Sequence, residues 1–318
     1  MWFNPWYRGW RNQPRTRSSV ASRPSPHRPG RLILEQLEDR TLPSSFTAAT
    51  VSDLIADINA ANTAGGSNTI TLAPKTIFTL TQVNNTTPYG SNGLPVIAAI
   101  DNVTIVGNGD TIQRNIHSAA FRFFEVAGGA SLALNDVKLQ NGSADVGGGI
   151  DNLGTLTLTN STIADNTSIG IMNFDGVLIL LNSTLAHNVR GGIDTSGTST
   201  VTLQNTILAL TETESDCQGS ITSLGNNVLG DPTGCDITLL DSDLTGDPGL
   251  DTFTDDGTPG NGHFPLLPTS QAIDAGNDAA CPPTDQLGQP RVGPCDIGAI
   301  EFQGGAPVAA PRGPQGPR

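Results

Sequence analysis

The chain has 318 residues, with 37 Gly, 22 Pro, 5% aromatic side chains and a formal net charge of −14. Residues 1–45 carry eight Arg against Glu35, Glu38 and Asp39, a balance of +5, which leaves −19 on the remainder. A body this acidic repels nucleic acid and anionic lipid, and no basic, aromatic-bearing surface offsets the repulsion.

Residues 1–45 show no domain pattern. Trp2, Trp6 and Trp10, all the Trp of the protein, stand among Arg, Pro and Ser, a mixture from which no core can be built. The apolar run of an ordinary secretory signal is missing. The stretch Arg31-Leu-Ile-Leu-Glu-Gln-Leu-Glu-Asp-Arg-Thr-Leu-Pro-Ser44 resembles the Leu-Glu-x-Leu-Glu-Asp-Arg-x-x-Pro-Ser segment near the N-terminus of many large exported proteins of planctomycete bacteria. That resemblance implies an export or targeting role; a short amphipathic helix carrying Leu34 and Leu37 is the plainer alternative.

Residues 50–62 read as a helix. Ser52 suits the N-cap, Asp53 sits in the positive first turn, and Leu54, Ile55, Ile58 and Ala61 form one apolar stripe. Residues 69–72 and 77–80 alternate as strands, and residues 81–95, rich in Asn, Pro and Gly, read as a loop.

From there one phrase recurs: Asn135-Asp-Val-Lys-Leu139, Asn160-Ser-Thr-Ile-Ala164, Asn182-Ser-Thr-Leu-Ala186 and Asn205-Thr-Ile-Leu-Ala209, with steps of 25, 22 and 23 residues, and residues 102–108 are an earlier copy. A period this short and Gly-rich suits a coil of short strands, not a helix pair. Leu153-Gly-Thr-Leu156-Thr-Leu158-Thr alternates apolar and polar, a strand with one buried face. Laps of about 22 residues pair in register about 4.8 Å apart, and such parallel connections favour the right-handed sense. Roughly seven laps fit between Val96 and Leu250, a rod on the order of 35 Å long. The helix covers the open N-terminal end. Phe121, Phe123 and Phe124 fill the tube.

Three phrases close on a second Asn, at Asn141, Asn166 and Asn188. Stacked at one position, these amides form a ladder that satisfies otherwise buried polar groups. The Asn-x-Ser/Thr triplets at Asn102, Asn141, Asn160 and Asn182 also fit glycan acceptors, a pattern common by chance.

Cys217, Cys235, Cys281 and Cys295 match no zinc spacing. Among three connectivities, two sequence-local disulfides, Cys217–Cys235 and Cys281–Cys295, are simplest and imply an oxidising compartment; four unpaired buried thiols are the alternative.

The tail reads Asp216-Cys-Gln-Gly-Ser-Ile-Thr-Ser-Leu-Gly-Asn-Asn-Val-Leu-Gly230, then Gly246-Asp-Pro, Leu266-Leu-Pro-Thr-Ser-Gln-Ala-Ile-Asp-Ala-Gly276, Asp285-Gln-Leu-Gly-Gln-Pro-Arg291 and Cys295-Asp-Ile-Gly-Ala-Ile-Glu301. This order resembles the choice-of-anchor Q domain of secreted bacterial β-helix proteins. The Gly-Gly-Gly-Ile150 and Ile-Ala-Asp-Asn166 phrases resemble the coils of polymorphic outer-membrane-protein and pectate-lyase-like helices. Together the resemblances cover residues 50–302 and imply a right-handed parallel β-helix, a surface or extracellular location and no established catalytic activity. Such proteins commonly run on into a sorting segment, whereas residues 303–318 form a Pro/Gly tail without an apolar span, so release, or retention through the N-terminal segment or a partner, is expected.

Because polysaccharide lyases and pectin hydrolases share this scaffold, catalysis needs weighing. Glycoside hydrolysis needs two converging carboxylates, and lyase chemistry a cationic base beside calcium-binding carboxylates. Asp145, Asp165 and Arg190 stand near the right phase for a cluster. Their neighbours are Asn, Ser and Gly, the Arg-x-Lys and His-Gly-x-x-x-Gly phrases are absent, and only Tyr89 can stack on a sugar after residue 45. Asp255-Asp256-Gly257 and Asp241-Ser-Asp243 offer oxygen-rich loops to Ca²⁺ but fit no calcium motif and read as turns. His27, His117, His187 and His263 are scattered. The expectation is thus an all-β chain: residues 1–45 for export, residues 46–302 as a right-handed parallel β-helix with a capping helix and a disulfide-bearing C-terminal cap in residues 215–302, and a tail at 303–318. No catalytic, cofactor or metal residue is assigned. The expected role is structural or adhesive at the cell surface, with surface polysaccharide or other surface proteins as partners and no membrane-spanning segment; a carbohydrate-active enzyme is the alternative.

Overall fold

The computed structural model describes residues 43–304, so the Arg-rich segment, all but the last two residues of the stretch 31–44, His27 and the end of the tail lie outside the described residues. The described chain is a parallel β-solenoid whose short strands stack into three faces. In the regular middle, one lap runs through Ile150–Asn152 on the first face, Thr155–Thr159 on the second and Thr162–Ala164 on the third. The third face is an eight-stranded sheet from Ile77–Leu80 to Leu244–Thr245. The first and second faces join at one long strand, Cys217–Ser223, which pairs with both.

The core follows from the period of two. In-register pairing stacks Leu132, Leu156, Leu178 and Val201 in one inward column, and Leu134, Leu158, Leu180 and Leu203 in the next. The third face adds Leu139, Ile163, Leu185 and Leu208, and the first adds Phe124, Ile150, Ile171 and Ile193. Every member is 2% exposed or less. Each such side chain removed from water contributes roughly 1.5–3 kcal/mol. Phe121, Phe123 and Phe124 are buried in the same core.

The repeated Asn marks a corner. Asn108, Asp136, Asn160, Asn182, Asn205 and Asn226 all adopt left-handed backbone, with φ between 45° and 59°, where the chain turns from the second face to the third. Asn and Asp tolerate that conformation best among residues with a side chain. Adjacent corners are tied as well: the Asn160 amide donates to Asp136 Oδ1 at 3.1 Å and the Asn205 amide to Asn182 Oδ1 at 3.3 Å. The two earliest phrases are therefore phased differently from their letters. Asp136, not Asn135, is the corner residue, and Asn135 pairs with Thr159 as the last residue of its strand; likewise Asn108, not Asn102, holds the corner.

The helix is Val51–Ala64, and its N-cap is Thr50 rather than Ser52. The Thr50 hydroxyl accepts from the Asp53 amide at 3.1 Å while the Asp53 carboxylate accepts from the amide of the preceding Ala49 at 3.2 Å, a reciprocal tie across the helix start. Leu54, Ile58 and Ala61 enter the main core. A strand before the helix, Ser44–Ala48, pairs in parallel with Gly66–Leu72, so ordered structure begins two residues ahead of the expected start at 46.

Two covers lie outside the tube. The loop at residues 81–95 contains a β-hairpin, Asn85–Thr87 with Gly90–Asn92, that lies over the first face. Residues 246–304 do not simply leave the last lap but run back over the third face as a strap. The Thr111 hydroxyl donates to Gly260 O at 2.9 Å, the Thr162 hydroxyl to Gln286 Oε1 at 2.6 Å, and the Thr184 hydroxyl accepts from the Ala299 amide at 3.1 Å. A second small core of Ile207, Val228, Leu266, Ala272 and Ile297 seals strap to sheet. Both disulfides, Cys217–Cys235 and Cys281–Cys295, are present. The first fastens the late laps, and the second lies in the strap, where the Asn182 amide approaches Cys281 Sγ at 3.1 Å. Among the described residues no helix is long and apolar enough to cross a membrane.

Candidate functional site

The hairpin overhangs the corner loops that precede the first face and so creates a cleft of about 350 Å³. Pro88 enters its turn, and Gly90 takes φ 130°, where a Cβ would also strike the Arg122 guanidinium. Tyr89, Gly90 and Ser91 form one wall, and Ser143, Asp145, Thr167, Ser168 and Arg190 from successive laps form the floor. The Thr167 hydroxyl donates to Ser143 Oγ at 2.8 Å, so two adjacent laps join their hydroxyls on the floor. Tyr89, 49% exposed, is the only Tyr or Trp among the described residues.

Charges beneath the hairpin are paired and dry. Arg122 is fully buried, with Nη1 2.5 Å from Asp151 Oδ2 and Nη2 donating to Tyr89 O. Asp151 pairs across the first face with Glu125, whose Oε2 accepts from the Thr87 hydroxyl at 2.6 Å and the Asn92 amide at 3.1 Å. Burial pushes the Asp151 carboxyl up to about 6, although Arg122 pulls the other way. At the far end Arg190 pairs with Glu214 at 3.2 Å, both half exposed. Asp194, one strand along from Met172, is raised by burial and by Glu214. Both arginines are thus neutralised by carboxylates. What the cleft presents is hydroxyls, one phenol ring and the Asp145 carboxylate, a surface that hydrogen-bonds and stacks.

The expected cluster is brought together in part. Asp145 and Arg190 line the cleft, but Asp165 does not; it turns toward the third face, 4.0 Å from Lys138 Nζ. Asn166 and Asn188 stack as buried rungs, Asn166 Nδ2 donating to Asn188 Oδ1 at 2.7 Å and Asn188 Nδ2 to Ile163 O at 3.0 Å. Asn141 stands outside that column. It holds a left-handed turn at φ 66°, in phase with Asp165 and His187, and the rung above Asn166 is the Gly142 amide, which donates to Asn166 Oδ1 at 2.8 Å. A further ladder, Asn152 Nδ2 to Asn173 Oδ1 at 2.6 Å, lies on the first face.

The candidate calcium loops are occupied by the chain itself. Asp243 accepts from the Ser223 hydroxyl, the Asn227 amides and the Leu240 amide, and Asp255 accepts from the Gly257 amide. Asp241 stays exposed. Among the described residues no three His, Cys, Asp or Glu side chains converge to hold a metal. A second cavity of about 410 Å³ in the strap is bordered by His263, Asp285 and Glu301. There Asp285 is saturated by the Leu287, Gln289 and Glu301 amides and Glu301 is paired with Arg291 at 3.0 Å, so these carboxylates serve the strap. His187 stacks on Phe264 at 5.2 Å, which draws it to the strap, whereas His117 lies elsewhere in an exposed turn.

Arg122 was missed by sequence reasoning because it sits in the apolar run Phe121-Arg-Phe-Phe124; a lone cation inside such a run is itself a signal for a buried partner, and the partner comes 29 residues later. No protein-family model matches this chain, and no curated protein or solved structure matches it significantly.

Proposed function

We propose that the protein is an exported, cell-surface or extracellular β-helix with a structural or adhesive role, and that the cleft beneath the hairpin is where it meets a surface polysaccharide. The observation carrying this reading is the meeting of Tyr89, the one Tyr or Trp among the described residues, with the Ser143, Thr167 and Ser168 hydroxyls of two adjacent laps. A polymer of hydroxylated sugars meets such a floor with a stacking face and several hydrogen bonds. Two disulfides support an oxidising compartment. The C-terminal order of phrases supports the choice-of-anchor Q resemblance, and with it export.

Binding is preferred to turnover because, among the described residues, Asp145 is the one carboxylate lining the cleft, while glycosidases place two across the scissile bond. The carbohydrate-active reading rests on Asp145 and Arg190 sharing that cleft. The test is retention of the full chain on insoluble neutral and acidic polysaccharides, with reducing ends and unsaturated uronates read from the same incubations. Retention weakened by at least tenfold in Tyr89→Ala, with no turnover, supports adhesion. Turnover abolished by Asp145→Asn or Arg190→Ala establishes the enzyme instead, and equal retention of Tyr89→Ala and wild type removes the cleft from the account.

A further inference from the structure

Lys138 leaves the third face pointing outward, yet its ammonium group is sealed by the strap. The side chain is 0% exposed, Nζ lies 3.3 Å from the centroid of the Phe253 ring and 4.9 Å from that of Phe264, and it has no hydrogen-bond partner among the described residues. Asp165 Oδ2 stands 4.0 Å away, beyond hydrogen-bond range. Lap register fixes this approach, because Lys138 pairs with Thr162 and Asp165 follows in the next turn of the chain. A buried cation with rings on one side and an unbonded carboxylate on the other is a poor way to solvate charge.

Both groups respond as burial requires. Desolvation lowers the Lys138 amine to about 7, and Asp165 is raised mainly by burial, with Lys138 and His187 opposing and Glu212 assisting. In water the two groups differ by about six pKa units. Here the ion pair and its neutral form, amine beside carboxylic acid, lie far closer in free energy, and the neutral form contains a nucleophile and its electrophile held face to face.

We propose that Lys138 and Asp165 react with each other, forming an amide between Lys138 Nζ and Asp165 Cγ that joins two adjacent laps covalently. The Nζ lone pair adds to Cγ of the protonated carboxyl. One carboxyl oxygen then departs as water, carrying the acid proton and one proton from nitrogen, and the product keeps a single N–H. No electrons are gained or lost overall, and ammonium plus carboxylate becomes neutral amide plus water. Holding the partners in place, with Asp165 Oδ2 4.0 Å from Nζ, replaces the encounter that makes this condensation slow in solution, and attack needs Nζ to come within roughly 3–3.5 Å of Cγ. The Asp165 side chain is 37% exposed, which gives the water an exit, while the strap rings keep bulk solvent from the amine. His187 stacks on Phe264, one of the two rings over Nζ, with ring centroids 5.2 Å apart.

The inference does not depend on saccharide binding. Its test is mass analysis of the folded full chain, incubated at pH 7, then reduced, denatured and digested with trypsin. An amide blocks cleavage at Lys138, so the expected product is one peptide of residues 123–190, lighter by one water than its sequence, with fragmentation placing the link between Lys138 and Asp165. Lys138→Met, which keeps an apolar side chain between the rings, and Asp165→Ala should each yield the full sequence mass. A wild-type chain cut at Lys138 into unlinked peptides 123–138 and 139–190 overturns the proposal, and so does a water loss that survives Asp165→Ala. Should a variant fail to fold, the wild-type digest alone decides.

Discussion

The second and third faces are built from the same coil, yet their outward residues differ. On the second face Thr155, Thr157, Thr159, Val177, Ile179, Thr200 and Thr202 stay at least partly open to water. On the third, Thr162, Ala164, Thr184, Ala186, Ile207 and Ala209 are all buried beneath the strap. Inward columns are alike on both, so the interior specifies the tube while the outward letters record what covers it. The alanine closing the last three of the four repeated phrases, at Ala164, Ala186 and Ala209, is such a record, since a longer side chain would lift the strap.

The sharpest way to break this comparison is to ignore it: an inward charge should ruin the tube whichever face carries it. Ile163→Asp buries a carboxylate in the main core and should cost about 4 kcal/mol or more; an unchanged melting temperature would refute the inward assignment. Reduction separates covers from coil. Opening the two disulfides, which close spans of 18 and 14 residues, should cost about 2–4 kcal/mol each, felt mainly in residues 215–300. Protease protection there that ignores reductant counts against this. Ala186→Glu, outward but covered, should cost about 2 kcal/mol and expose the strap to proteolysis before the coil melts; loss of coil and strap together would make them one cooperative unit.

Acid should tighten the covers. Asp296 lies in the strap, Asp110 in a coil turn that meets the strap at Gly260, and Asp151 under the hairpin, and burial raises each carboxyl to about 6. A raised native value means that the folded state binds more protons between about pH 4 and 6, so stability increases as pH falls from 7 through 6 toward 4. The gain should be on the order of 1 kcal/mol for each carboxyl by pH 5, read from melting at the two pH values, and Asp151→Asn should remove its share. A flat profile would mean that these carboxyls are hydrated in solution. Smallest of all, Thr157→Glu on the open face should change stability by less than about 0.5 kcal/mol; a larger loss in melting would reveal a cover over that face too.

How far the letters could be followed depends on how local the physics is. Leu156, Leu158 and Ile163 declare themselves through alternation, because strand geometry acts within five residues. The Asn corners are equally local, and the slip at Asn135 arises because Asp136 can hold the same left-handed turn, so two adjacent letters compete for one role. Thr50 was passed over for Ser52 because both can cap; the reciprocal bond from Asp53 decides, and it rests on a three-residue spacing. The strap was not legible. It has no period, and its bonds join residues more than a hundred positions apart, such as Thr162 with Gln286. For the same reason the Asp145, Asp165 and Arg190 cluster split: phase along the coil was correct for two members, but one turned residue sends Asp165 to the opposite wall.

A bare coil transmits load only from each rung to the next, so a pull on its ends would peel it one turn at a time. The strap changes the mechanics, because it rivets the rung at Thr111 to those at Thr162 and Thr184 through bonds loaded side by side. Under tension the middle of the rod should yield as one block at a single force, where an unstrapped coil would unwind rung by rung.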